Sequence, residues 1–182
     1  MADHSRVLRQ VTFRDAAPDD AAEIAVLYAH YVRTSIATFE ETPPDAADIA
    51  QRIAAVQTAG LPWIVGNDET GALLGYAYAA PYRTRSAYRY TVENSVYVAP
   101  NTIGSGIGMT LMREVIERCT RAGFRQMLAV IGGSANIASI TLHERLGFKM
   151  IGTHRAVGYK QGRWVDVVHM QLELGEGSRS AP

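Results

Sequence analysis

The chain holds a single cysteine, Cys119, in 182 residues. One thiol excludes an intrachain disulfide and suits a reducing compartment. Net charge is missing too: Lys plus Arg and Asp plus Glu each number 18, so the formal charge is zero. That balance argues against nucleic acid or an anionic membrane as the main partner. No apolar run approaches the roughly 18 residues that span a bilayer, and the opening Met1-Ala2-Asp3-His4-Ser5-Arg6 has no signal-peptide core. A cytoplasmic protein is therefore expected. The five histidines, at 4, 30, 143, 154 and 169, have no ligand spacing with cysteines or acids, so no metal is expected. Repeats, linkers and low-complexity segments are also lacking. Hydrophobic content of 47% and charged content of 20% suit a globular chain. One domain over 11–174 is expected, with a polar, flexible N-terminus (1–10) and a polar, flexible tail (175–182).

Against that plain background, the stretch Thr91 to Leu111 stands out. Thr91 to Val98 is β-branched and aromatic without a breaker, as a strand requires. Pro100 ends it, and Gly104, Gly106 and Gly108 then alternate with Ser105 and Ile107 before helical spacing begins at Met109. A glycine loop opening a helix is an anion-binding device. The backbone can approach a phosphate closely, and the helix's unpaired N–H groups and positive dipole end point at it. The Walker pattern fails, because no Lys-Ser or Lys-Thr follows the last glycine. The dinucleotide fingerprint fails because Met109 stands where its third glycine belongs.

The rest of the chain reads as alternating short elements. Val11 to Arg14 is a strand. Pro18 and the acids after it start a helix on which Ile24, Leu27, Tyr28 and Tyr31 share one face, ending near Thr34. Ser35 to Thr42 is a loop, and Pro43-Pro44 opens a helix over Asp45 to Thr58. Pro62 to Gly66 and Leu73 to Tyr82 form a hairpin around Asn67 to Gly71. Ile107, Leu111, Val115 and Cys119 recur every fourth residue on a helix closed by Gly123. Gln126 to Ile131 is a strand, Asn136 to Leu146 a helix, and Phe148 to Tyr159 with Trp164 to Leu174 a final hairpin around Gln161-Gly162. Strands cluster before and after two later helices, which predicts a mixed α/β sheet with helices on both faces.

The stretch from Val96 to Leu111, V-x-V-x-P-x-x-x-G-x-G-x-G-x-x-L, resembles the coenzyme A pyrophosphate loop of the GCN5-related N-acetyltransferase superfamily. Asn136 to Phe148, N-I-A-S-I-T-L-H-E-R-L-G-F, resembles that superfamily's later helix. Arg89 to Val98, Val130-Ile131-Gly132 and Gly162 to Leu172 are similar to strands of its phosphinothricin and methionine sulfoximine N-acetyltransferase family. The resemblance covers Val11 to Leu174. It implies a central, mostly antiparallel sheet of about seven strands with helices on both faces. It also implies acetyl transfer from acetyl-CoA to the α-amine of a small amino-acid analogue, in a protein that forms homodimers. The backbone of Val96, Tyr97 and Val98 is expected to hold the pantetheine arm. The loop Gly104, Ser105, Gly106, Ile107, Gly108, Met109 is expected to cradle the pyrophosphate, with Asn136 toward the pantetheine or thioester and Arg145 toward the adenylate. One departure stands in the loop: Ile103 and Gly104 replace the family's usual Gln or Arg and basic residue, a loss that Asn101 and Thr102 can offset by side-chain hydrogen bonds.

The chemistry needs a proton acceptor, an oxyanion donor and a proton source for the leaving thiolate, because an α-amine is mostly protonated near neutrality. Glu93 is the first candidate base: a carboxylate in an apolar strand is costly without a task or a partner, here Arg83, Arg85 or Arg89. His143 is the second. It stands where the superfamily motif carries a tyrosine acid, and either it or Glu93 can be the base. Period-2 alternation puts Glu93, Ser95 and Tyr97 on one face unless a bulge intervenes. The loop Arg83, Arg85, Ser86, Ala87, Tyr88, Arg89 can clamp substrate oxyanions through its guanidinium forks, or be a solvated basic loop. Phe39 and Tyr88 can wall the pocket or pack in the core. Cys119, at helical spacing, is a core residue. Two other activities remain open: acetylation of a peptide N-terminus or polyamine, and non-catalytic acyl-CoA sensing.

Overall fold

The computed structural model describes residues 11–182; the expectation for residues 1–10 lies outside the described residues. Eleven regular elements follow in the order β1 (Thr12–Asp15), α1 (Ala21–Thr34), α2 (Ala46–Thr58), β2 (Trp63–Asn67), β3 (Leu73–Pro81), β4 (Thr91–Val98), α3 (Ile107–Arg121), β5 (Gln126–Gly132), α4 (Ile137–Arg145), β6 (Lys149–Lys160) and β7 (Arg163–Glu173). The strands make one seven-stranded sheet in the order β1-β2-β3-β4-β5-β7-β6. Every neighbouring pair is antiparallel except β4–β5. The mixed sheet of about seven strands that the resemblance implied is the architecture found.

Local patterns explain the elements. On α1 the expected face is buried at Ile24, Leu27 and Tyr28, and Tyr31 packs against the core beside them. On α3 the every-fourth series Ile107, Leu111, Val115, Cys119 is buried throughout, and Gly123, with φ of 87°, takes the left-handed position just past the helix end. Asp45 caps α2 by accepting a hydrogen bond from the Asp48 amide at 2.8 Å. At the final hairpin Gln161 and Gly162 have φ of 52° and 73°, the pair of positive angles that matches the twist of a two-residue turn.

The sheet faces differ. Trp63, Tyr76, Tyr78 and Tyr97 stack across β2, β3 and β4 beneath Tyr28 and Tyr31 of α1. Asn94, Val96 and Val98 face the other way, and Val96 and Val98 lie beside Gly108 of α3. β3 and β4 pair without interruption from Gly75–Val98 to Pro81–Val92. No bulge intervenes there, so Glu93, Ser95 and Tyr97 do share a face. β4 and β5 behave otherwise: their parallel pairing covers only Thr91–Gln126 through Asn94–Ala129. Beyond that point β5 continues to pair with β7 as far as Gly132, and the sheet forks.

The α1–α2 connection closes over the fork. The buried Lys160 ammonium donates to the carbonyls of Ser35 at 2.9 Å and Thr38 at 2.7 Å. Gly132 meets the Ile36 carbonyl, and Gly158 meets the Phe39 ring, at places where a Cβ has no room. Residues 175–182 turn back on the domain: Ser178 donates to Glu173 at 2.9 Å, and Arg125 donates to the carbonyl of Ala181 at 3.2 Å. Gly132→Ala is expected to destabilise the fold by about 1–3 kcal/mol, because the Ile36 main chain has to move. Urea unfolding reads this as a lower midpoint at unchanged slope.

Candidate active site

The fork opens into a cleft of about 810 Å³. One wall is β4 from Asn94 to Val98, and the other is β5 from Ala129 to Gly132. Along β4, Thr91 accepts from the Tyr82 amide and the Ala99 amide donates to Leu74, so odd-numbered residues point their main-chain groups at β3. By alternation the groups of Val96 and Val98 face the gap, where no strand pairs with them. Tyr31 takes one of these, donating its hydroxyl to the Val98 carbonyl at 2.6 Å. The remaining edge can accept an extended ligand as if it were another strand.

The glycine loop forms the mouth. Gly104 and Gly106 have φ of 81° and 92°, which only glycine adopts without strain. Gly106 is the N-cap of α3 and no side chain caps that end, so the first amides of a 15-residue helix stay available for an anion. Gly104, Gly106, Gly108 and Met109 line the cleft. Two expected loop contacts differ. Ser105 turns its hydroxyl back to the Thr102 carbonyl at 2.6 Å, and Ile107 is buried in the core because it begins the apolar stripe of α3. Thr102 lines the cleft but points its hydroxyl at the carbonyls of Ala99 and Leu74, and Ile103 is 62% exposed at the rim.

The expected Asn136 and Arg145 both line the cleft. The Asn136 side chain caps α4, accepting from the Ser139 amide at 3.3 Å. Arg163, at the start of β7, lines the cleft as well and had no sequence signal beyond the family-like strand that contains it. Among the described residues Arg145 and Arg163 are the only charged side chains along the lining, and neither forms an ion pair there. Ser35, Ile36 and Ala37 complete the wall from the loop that Lys160 holds.

The two acid–base candidates lie on opposite faces of β4. His143 is 2% exposed and lines the cleft. Its Nε2 lies 3.0 Å from Oδ1 of Asn94, and its Nδ1 lies 2.8 Å from the Ser139 carbonyl. Burial holds this imidazole below its ordinary value, and the Ser139 contact works the other way. Glu93 is half-buried on the α1–α2 face, outside the cleft lining. Burial pushes its carboxyl up, opposed by the Arg83 guanidinium. Of the three arginines proposed as its partners, only Arg83 acts on it.

Arg85 leads into the short exposed turn Ser86–Tyr88, Arg89 folds over the Tyr90 ring at 4.6 Å and donates to the Ser86 carbonyl, and Tyr88 packs edge-on against Tyr82. Ala87 belongs to the same exposed turn. Phe39 lies over Gly158 and is 40% exposed. Cys119 is fully buried and burial pushes its thiol up to about 12, as befits a core residue. Among the described residues no group of three or more His, Cys, Asp or Glu side chains is placed to hold a metal ion, and no helix is long and apolar enough to cross a membrane.

The forked sheet and the uncapped helix at its mouth lie within residues 13–169, which match the family described as "Acetyltransferase (GNAT) domain" and so make this an acyltransferase architecture. The chain belongs to the GNAT acetyltransferase family. It is 48% identical over 171 residues to a phosphinothricin N-acetyltransferase of Alcaligenes faecalis, covering 94% of this chain and 86% of that protein. It is 41% identical to an L-methionine sulfoximine/L-methionine sulfone acetyltransferase of Pseudomonas paraeruginosa, covering 94% and 98%. A phosphinothricin acetyltransferase from Sinorhizobium meliloti, solved in complex with AcCoA, superposes with a TM-score of 0.91 at 47% identity, covering 94% of this chain and 92% of that one.

The raised Glu93 carboxyl yields a stability prediction. A Glu that ionises later in the folded than in the unfolded state lowers stability as pH rises through the window above the unfolded value of about 4.3, and the penalty persists at neutral pH. Glu93→Gln is therefore expected to raise the melting temperature at pH 7 and to have no advantage near pH 3. A thermal-shift series across pH checks both ends.

Proposed function

We propose that this protein transfers the acetyl group of acetyl-CoA directly to the α-amine of a small amino-acid analogue of the phosphinothricin, methionine sulfoximine or methionine sulfone type. The observation that carries this reading is the fork between β4 and β5: an unpaired strand edge leads from an uncapped helix N-terminus to buried polar groups. Among the described residues its lining carries Arg145, Arg163 and no carboxylate, which suits a polyphosphate ligand.

In this reading the amides at Gly104 to Met109 receive the pyrophosphate, and Arg145 and Arg163 meet the outer phosphates. Val96 and Val98 pair with the amide-bearing arm through their free main-chain groups. Acetyl-CoA supplies the activated acyl group. Glu93, on the other face of β4, takes the proton that the substrate ammonium loses before attack. Its raised affinity for a proton fits that task. Arg83, beside it, holds the substrate's carboxylate or side-chain oxyanion, with Arg85, Ser86, Ala87, Tyr88 and Arg89 as the flanking loop and Phe39 as the opposite wall. His143 manages a proton on the cleft side. The amide nitrogen keeps its new C–N bond, the C–S bond breaks, one proton goes to the thiolate and one to solvent. A homodimer acting in the cytoplasm completes the proposal; the exposed Trp164 and Tyr159 near the end of the hairpin suit an interface between copies.

The deciding assay is coenzyme A release from acetyl-CoA with phosphinothricin, methionine sulfoximine, methionine sulfone, spermidine and a short peptide. Turnover of the first three alone is expected. Turnover of spermidine or peptide alone overturns the substrate class, and acetyl-CoA binding without any turnover favours a sensor. Glu93→Gln is expected to lower kcat by about 10²–10⁴-fold while acetyl-CoA binding stays intact. Arg163→Gln is expected to raise Kd for acetyl-CoA about tenfold, the loss of one charge-assisted contact, and to flatten its salt dependence; calorimetry at two salt concentrations reads both.

A further inference from the structure

Asn94 is buried at 6% exposure, at the last residue pair joining β4 and β5. Its Nδ2 donates to the Leu128 carbonyl on β5 at 3.0 Å. That bond decides which way the amide points: reversed, it would set Oδ1 against a carbonyl oxygen. Oδ1 is therefore held toward Nε2 of His143 at 3.0 Å, while Nδ1 of the same ring faces the Ser139 carbonyl at 2.8 Å. Both ring nitrogens thus meet acceptors. A neutral imidazole has one N–H and leaves one nitrogen lone pair against an oxygen lone pair. The shorter contact, to the helix carbonyl four residues back, takes the proton in the neutral ring. Nε2 then faces Oδ1 bare, on the cleft side. Protonating Nε2 turns that repulsion into a charge-assisted hydrogen bond with no atom moving.

We propose that Asn94 is a positioning residue for proton transfer: its amide, locked by the Leu128 carbonyl, presents a fixed acceptor to Nε2 of His143 and makes that nitrogen a ready proton acceptor. This rests on the acetyltransferase reading, in which His143 handles a proton beside the reacting groups. The step balances simply: Glu93 takes the first proton of the ammonium and passes it to solvent, and Nε2 gains the second as the C–N bond forms and returns it to the thiolate as the C–S bond breaks. The groups facing the ring are Asn94 from β4, the Ser139 carbonyl from its own helix, and the Phe148 ring, edge-on at 4.9 Å, from the segment after α4. Among the described residues no ionised side chain hydrogen-bonds the ring. Asn94 is thus the neighbour through which the proton affinity can be tuned.

The experiment follows the ring nitrogens of His143 by ¹⁵N NMR against pH in the wild type, in Asn94→Leu and in Asn94→Asp, with His143→Gln for assignment. Asn94→Leu is expected to lower the titration midpoint and to cut kcat/KM at pH 7 about tenfold, with acetyl-CoA affinity kept. Asn94→Asp is expected to raise the midpoint, and the acid limb of the kcat/KM profile is expected to move with it in each variant. A midpoint that stays put in both folded variants, or moves the same way in both, overturns the proposal. So does a pH profile that fails to follow the midpoint. If Asn94→Leu does not fold, Asn94→Asp alone decides by the sign of its shift. The NMR titration needs no substrate. A wild type inert toward every amine refutes the acetyltransferase reading without touching this measurement.

Discussion

The structure depends on where one ladder of hydrogen bonds stops. Among the described residues β4 and β5 are the only parallel neighbours in the sheet, joined through the α3 crossover, and their pairing ends at Asn94–Ala129. β5 then follows β7 to Gly132, while β4 follows β3 to Val98. Two strands with different partners diverge, and main-chain groups are left facing a gap. Buried backbone groups without partners are costly, so such a gap persists only where a side chain, water or ligand supplies the missing bonds. Tyr31 supplies one at Val98. The remainder make the gap a site.

Around the fork the protein assigns different tasks to the faces of the sheet. The α1 side is an aromatic layer from Trp63 to Tyr97 that stiffens β2, β3 and β4. Glu93 lies farther along this face, where burial favours its protonated form. The α3 and α4 side carries the cleft, the uncapped helix end and His143. One strand therefore presents consecutive residues, Glu93 and Asn94, to two chemical environments. The α1–α2 loop is held in place by unlike means: an ammonium on two carbonyls, and glycines that admit main chain and an aromatic ring closer than a side chain allows.

Charge shows the same separation of the local from the global. The chain sums to zero, yet among the described residues the cleft lining holds two arginines and no acid. Ion pairs form elsewhere: Asp20 with Arg14, Glu40 with Arg52, Asp15 and Glu114 with Arg118. A neutral total conceals a cationic groove because ion pairs on the surface cancel in the sum while unpaired guanidinium groups keep their field where a ligand enters.

Much of this was legible in the chain by itself. The α1 face, the every-fourth stripe of α3, the bounds of β4, the Gln161-Gly162 turn and the glycine mouth are local, because backbone geometry and side-chain periodicity act within a few residues. Glycines 104 and 106, set between a strand and helical spacing, announce a loop whose backbone a ligand can approach. The rest depended on partners far along the chain. Nothing near Asn94 says that its amide will meet Leu128 and His143, nothing near Lys160 says that it will hold Ser35, and nothing near Arg163 sets it in the cleft. Ser105 and Thr102 had hydroxyls suited to a ligand, but the folded turn draws both to nearby carbonyls. The residues alone determined which elements form and which loop can receive an anion. Tertiary structure decided which side chains reach the fork, because that depends on where two strands part.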